Sequence, residues 1–202
     1  AYEAGTEDQA QPLLTEGRAR FQALNDEWGV TTSSHYLGTI ALRKGDYVAA
    51  RELTEEMLAN ARDLGDNYRV SRNLHQLAEI ALAQHQLAQA QRNLLDSLAL
   101  NRDQGRVGDA ALQMRLLGRI ALMMNDPARA ARLFGAASTH DGRERTLPAD
   151  DAEVNEAALA SARSQLGEHR FGTEWVQGTA MSFAAAADFA LEPIGISTTT
   201  PN

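Results

Sequence analysis

The chain repeats one apolar pattern three times at a spacing of 40 residues. A self-alignment at that shift matches Leu37/Leu77/Leu117, Ile40/Ile80/Ile120, Ala41/Ala81/Ala121 and Leu42/Leu82/Leu122. The matched positions are spaced as on one face of a helix, and the turn residues Lys44-Gly45-Asp46 follow the first of these segments. The repeat predicts a stack of helix pairs in which each pair covers the apolar face of its neighbour.

Small residues recur at two positions of the repeat, where we expect two helices to approach closely. These positions are Gly38/Ala78/Gly118 and Ala50/Ala90/Ala130. A larger side chain at such a contact forces the helices apart, which costs about 1–3 kcal/mol.

Composition supports an all-α class and excludes several functions. Aromatic residues make up 5% of the 202 residues, and Ala and Leu are the commonest types. The net charge of -8 disfavours a general nucleic-acid-binding surface, and the lack of cysteine excludes thiolate metal sites and cysteine nucleophiles. No stretch of 18 apolar residues and no signal peptide is visible, so a cytoplasmic location is expected.

The coarse helical pattern predicts seven helices in the repeats and three more after them. The seven cover 7–24, 31–44, 47–63, 67–84, 87–104, 108–124 and 127–139. An exposed loop is predicted over 139–151, followed by a helix that ends at Gly167, a shorter helix in 169–178 and a last helix that Ser182 caps.

This pattern predicts one domain with a short tail. The repeats occupy 1–139, as a partial unit 1–24 and full units near 25–64, 65–104 and 105–139. The loop and capping helices then occupy 140–191 of the same domain, and 192–202 is predicted to be a linker or disordered tail. We expect five apolar residues of the capping helices to cover the last repeat: Phe171, Trp175, Phe183, Phe189 and Leu191.

Two features favour a piece cut from a longer protein. The sequence begins "AYEAGTEDQA" without an initiator Met, and the first helix lacks the partner helix that would precede it in a full unit.

The repeats resemble the tetratricopeptide repeat (TPR). The resemblance is carried by Leu37-Gly38-Ala41-Ala50, Leu77-Ala78-Ala81-Ala90 and Leu117-Gly118-Ala121-Ala130. The usual repeat has about 34 residues, so a period of 40 indicates longer helices or turns. The resemblance implies a right-handed α-solenoid of antiparallel helix pairs, closed here by C-terminal capping helices.

The C-terminal part is similar to the repeat region of large bacterial regulators of the LuxR and MalT type and of related ATPase-linked proteins. Four segments carry this resemblance: Leu133 to Ala137, Leu166-Gly167, Trp175 to Gly178, and Ser182 to Leu191. It implies a sensor or scaffold region that lies between an ATPase module and a DNA-binding domain. Neither a phosphate-binding Gly-rich loop nor a recognition helix occurs in this sequence.

In such arrays the first helix of each pair lines the concave face, and its unpacked side chains are candidate ligand contacts. These are Thr32, His35, Thr39, Arg43, Arg72, His75, Glu79, Arg115, Arg119 and Met123, with Ala83 and Leu112 beside them. Four arginines against one glutamate favour an acidic peptide segment or a small anionic effector. The alternative is that these charges only solvate an exposed helix face.

Two pairs of side chains share repeat positions without indicating chemistry. His35 and His75 lack a third metal ligand, because the next equivalent residue is Arg115. We therefore expect no metal and no cofactor. For Trp28 and Tyr68, packing in the core is the expected role and an exposed protein-contact edge is the alternative.

The sequence favours a non-catalytic binding module. It contains no GxSxG or HExxH motif and no cysteine, so no enzyme is expected. A structural spacer or self-association arm remains open, because the first helix carries an apolar stripe of Leu13, Leu14, Phe21 and Leu24.

Overall fold

The computed structural model describes residues 7–140 and 149–192. This part of the chain contains ten α-helices and no β-strand. The helices are α1 (Glu7–Ala23), α2 (Glu27–Arg43), α3 (Tyr47–Asp63), α4 (Asn67–Ala83), α5 (Leu87–Asp103), α6 (Val107–Met123), α7 (Pro127–His140), α8 (Ala149–Leu166), α9 (Glu168–Thr179) and α10 (Phe183–Leu191).

The first seven helices follow a fixed spacing. They begin at Glu7, Glu27, Tyr47, Asn67, Leu87, Val107 and Pro127, so successive helix starts are 20 residues apart. The 40-residue shift in the sequence is therefore the distance from one helix to the next but one. Long helices rather than long turns fill this 40-residue period, because six of the seven helices have 17 residues.

Each connection between these helices is a three-residue turn whose middle residue has a positive φ. The middle residues are Asn25, Gly45, Gly65, His85, Gly105 and Asn125. Asparagine and glycine tolerate this conformation better than other residues, which explains their places in the turns. In four of the six turns the next residue is an aspartate that accepts a hydrogen bond from the backbone of the following helix: Asp26, Asp46, Asp66 and Asp126.

The predicted start of the second helix at residue 31 is wrong. Asp26 accepts a hydrogen bond from the backbone N–H of Gly29 at 3.0 Å and caps a helix that begins at Glu27. Gly29, Val30 and Thr31 have low helix propensity, but the cap and the packing of the helix outweigh it.

The helices form two compact units, of which the first spans 1–86 and contains α1–α4. Within it α1 packs on α2, α2 on α3 and α3 on α4. The small residues Gly38, Ala50 and Ala78 are buried, as predicted. A β-carbon at Gly38 would lie 3.2 Å from Nε2 of Gln76, so this glycine leaves room for the Gln76 side chain of α4.

The second unit spans 87–202, and its described helices are α5–α10. Within it α6 packs between α5 and α7, while α10 contacts α5, α6 and α7. Ala90, Gly118 and Ala130 are buried, which confirms the remaining small positions. Gly118 faces the ring of Phe134, which would lie 2.9 Å from an added β-carbon.

The backbone of helix α9 approaches that of α7 closely. A β-carbon at Gly178 would overlap the carbonyl oxygen of Arg132 and lie 2.8 Å from the backbone N of Ala136. A β-carbon at Gly135 would in turn overlap the carbonyl oxygen of Trp175. The two glycines therefore set the distance between α7 and α9.

The predicted capping residues belong to helices that cover α5–α7. Phe171 is buried, and Trp175, Phe183, Phe189 and Leu191 are half-buried. The predicted loop is shorter than 139–151, because α7 extends to His140 and α8 begins at Ala149. Residues 141–148, which make up most of the predicted loop, and residues 193–202, which make up nearly all of the predicted tail, lie outside the described part.

Candidate functional site

The ten predicted contact residues lie on α2, α4 and α6, and none of them is buried. Seven belong to the first unit: Thr32, His35, Thr39, Arg43, Arg72, His75 and Glu79. Arg115, Arg119 and Met123 belong to the second unit, where the two arginines are half-buried and Met123 is exposed. Each of the ten residues is thus at least partly accessible to solvent, which contact with a ligand requires.

A cleft of about 430 Å³ lies between α2 and α4 in the first unit. Three predicted residues, Thr32, His35 and Arg72, line it. Its walls also contain aromatic rings and one apolar side chain that the face count did not include: Trp28, Tyr36, Tyr68 and Met57. The Arg69–Asp66 ion pair also lines the cleft. The cleft thus combines charged and aromatic surface, which suits an amphipathic ligand.

Arg72 and His35 form the polar centre of this cleft. Nη2 of Arg72 lies 3.0 Å from Nε2 of His35, and the guanidinium also sits 5.8 Å from the centroid of the Tyr68 ring. An arginine can only donate hydrogen bonds. The Nε2 atom of His35 therefore accepts, and the imidazole is neutral with its proton on Nδ1.

Burial lowers the pKa of His35 from 6.5 to about 4. The positive charges of Arg72 and His75 act in the same direction, while a hydrogen bond with the Gln76 side chain opposes them. The low pKa is consistent with the hydrogen bond, since a protonated imidazole could not accept from Arg72.

We expect His35 to make the first unit less stable as the pH falls. The unfolded chain binds a proton at His35 near pH 6.5, whereas the folded chain does so only near pH 4. The unfolded state therefore holds more protons between these values, and this part of the stability is lost as the pH falls through that window. The measurement is the urea midpoint from neutral pH down to about 4.5.

His35→Gln is the control for this pH dependence, because glutamine keeps an acceptor for Arg72 but does not titrate. The variant should lose less stability than the wild type on acidification. An equal loss in both proteins would show that His35 is not the group responsible.

The other predicted residues of the first unit make local contacts. Arg43 pairs with Glu7 of α1 at 3.3 Å, and His75 lies 3.7 Å from Glu79. Thr39 donates to the backbone carbonyl of His35 at 3.0 Å. None of these four predicted residues lines the cleft.

The expectation that Trp28 packs in the core is wrong. Its side chain is 66% exposed at the cleft, and Tyr36 is 41% exposed. Trp28 is the second residue of α2, and Asp26 fixes where that helix begins. The predicted helix start at residue 31 left Trp28 in a turn, so the sequence pattern could not place it on the same surface as His35.

Neither a metal site nor a membrane-spanning segment is found in the part of the chain that the structure describes. No group of three or more His, Asp or Glu side chains among residues 7–140 and 149–192 could hold a metal ion. None of the described helices is both long and apolar enough to cross a bilayer. No family model, curated protein or solved structure matches the chain.

Proposed function

We propose that the chain is a non-catalytic binding module of the TPR-like, right-handed α-solenoid type. Its ligand would be a protein or peptide partner, with an acidic segment as one form, or a small anionic effector. The proposal extends to the role of a sensor or scaffold region in a larger bacterial transcription regulator, in the cytoplasm. That wider role rests on the sequence resemblance alone.

The observation that carries the binding proposal is the charge state of the α2/α4 cleft. Arg72 bonds to a neutral imidazole and, among the described residues, pairs with no carboxylate. Four other arginines of the first unit do pair with acids: Arg18 with Glu56 at 2.7 Å, Arg20 with Glu16, Arg43 with Glu7 at 3.3 Å and Arg69 with Asp66 at 3.2 Å. An anionic ligand could therefore bind Arg72 without displacing an internal carboxylate.

Exposed aromatic side chains support a protein or peptide ligand. Trp28 and Tyr36 present large, stiff surfaces beside Arg72. Tryptophan, tyrosine and arginine are the residues most often found at the energetic centres of protein interfaces.

Affinity capture tests the binding proposal. The immobilised chain, its Arg72→Gln variant and its Arg62→Gln variant are compared in a lysate of the cells that produce the protein. Arg62 is exposed on α3 outside the cleft, so its substitution changes the net charge equally. A partner retained by the wild type and by Arg62→Gln but lost from Arg72→Gln is expected. Equal capture by all three proteins would contradict a role for the cleft.

A spacer or self-association arm is the alternative function, and the surface of α1 favours it. Helix α1 contains no buried residue; Leu13 on this helix and Leu24 in the turn after it are 69% and 75% exposed. Phe21 of the predicted stripe instead packs against Gly29 of α2. Light scattering over a range of protein concentrations distinguishes the two functions. A mass that rises with concentration, and no longer rises in Leu13→Glu, would favour self-association.

A further inference from the structure

The hydrogen bond between Arg72 and His35 can exist only while the imidazole is neutral. Nε2 of His35 uses its lone pair to accept from Arg72 at 3.0 Å, and the bond holds the guanidinium at the cleft. Any ligand that takes Arg72 away leaves this lone pair without a donor inside a half-buried site. Proton uptake from solvent would then turn Nε2 from an acceptor into a donor.

A bound oxyanion would favour that proton uptake. Arginine binds carboxylate, phosphate and sulfate groups through parallel N–H donors. A negative charge within hydrogen-bond distance of an imidazole favours its charged form, and it also cancels the repulsion from Arg72. The same ligand would therefore offset the charge repulsion that, together with burial, keeps His35 neutral.

We propose that the α2/α4 cleft holds an oxyanion between Arg72 and a protonated His35, so that each binding event takes up one proton. The inference rests on the function proposed above, which assigns the cleft as a binding site. It adds the chemistry of the bound group and a dependence of affinity on pH.

Apart from Arg72, the charged groups near His35 are paired with each other, so His35 is the group expected to titrate when an anion binds. On α2 its neighbour is the Tyr36 ring, and α3 contributes only the apolar Met57 to the cleft. Asp66 and Arg69 also line the cleft, where they pair with each other at 3.2 Å, and on α4 His75 lies beside Glu79. Arg72 is therefore the cation in the cleft that an added anion would engage first.

The expected consequence is tighter anion binding at lower pH. Because one proton is taken up, the affinity rises by at most about tenfold per pH unit between the pKa values of His35 in the complex and in the ligand-free protein. A site that used Arg72 alone would show no such rise with a ligand of fixed charge.

Histidine NMR of the full chain tests the proposal with sulfate, whose charge is constant over this range. The imidazole pKa of His35 is measured at increasing sulfate, with chloride used to keep the ionic strength constant. We expect the His35 pKa to rise with sulfate and then level off, while exposed His85 keeps its value. In Arg72→Gln the sulfate-dependent rise should be lost.

A second titration distinguishes a free anion from an anionic group that a peptide carries. A short peptide of alternating glutamate and leucine is compared with sulfate above pH 5, where its carboxylates are ionised. A rise of the His35 pKa at lower peptide than sulfate concentrations would support a peptide-borne carboxylate, because Trp28 and Tyr36 can contact the leucines. A stronger effect of sulfate would support a free anion.

Two results would overturn the proposal. One is that sulfate and the peptide shift no signal of the cleft. The other is that they shift the Arg72 signals while the His35 pKa stays unchanged. In the latter case partner capture that depends on Arg72 could still hold, so the binding function and the proton coupling fail separately.

Discussion

Gly178→Ala is expected to destabilise the second unit by at least about 1–3 kcal/mol, the usual cost of overpacking. The added methyl group would overlap the carbonyl oxygen of Arg132 and crowd the backbone N of Ala136. Both obstacles are backbone atoms of α7, which cannot rotate away as a side chain can. Relief therefore requires the backbone of α9 around Gly178 to move away from α7.

Gly172→Ala is the matched control for this prediction. Gly172 also lies within α9, but an added β-carbon there meets no atom within 4 Å. Alanine is favoured over glycine inside a helix by about 0.5–1 kcal/mol, so this variant should be unchanged or more stable. Urea unfolding followed by Trp175 fluorescence, in a Trp28→Phe background, measures both variants at α9. Equal midpoints for the two variants would contradict the close approach of α7 and α9.

Leu117→Ala is expected to cost about 2–5 kcal/mol, as for other buried leucines. Leu117 belongs to the repeated apolar pattern and is completely buried in α6. Truncation would leave a cavity in the second unit, where α6 packs against both α5 and α7.

Met123→Ala provides the comparison on the same helix. Met123 ends α6 and is 46% exposed, so its truncation removes little buried surface and should shift the urea midpoint only slightly. If the two variants were equally destabilised, the sequence repeat would not mark the packed face of α6.

The helices were predictable because short stretches of sequence determine both the spacing of their apolar residues and the residues of their turns. Apolar positions recur at helical spacing, and residues such as Gly45-Asp46 and Gly65-Asp66 combine a positive φ with an N-cap. The start of α2 was misjudged where this local signal is mixed. Gly29 and two β-branched residues follow Asp26, and only the observed capping hydrogen bond reveals that the helix has already begun.

The candidate site was predictable only as a helix face. Counting around the helices placed Thr32, His35 and Arg72 on exposed surface. The hydrogen bond between His35 and Arg72 joins residues 37 positions apart, and it depends on side-chain geometry that no local pattern encodes. The aromatic part of the cleft was missed because Trp28 shares a repeat position with the half-buried Tyr68, which suggested a packing role for both.

Hydrogen exchange of the chain in complex with its captured partner tests the central claim, that the cleft between α2 and α4 is the recognition surface. The account predicts slower exchange in peptides from α2 and from the start of α4, which carry His35 and Arg72, with little change in α1 or α8. Protection confined to α1 and the turn after it, where Leu13 and Leu24 are exposed, or to the α8–α9 surface would contradict it.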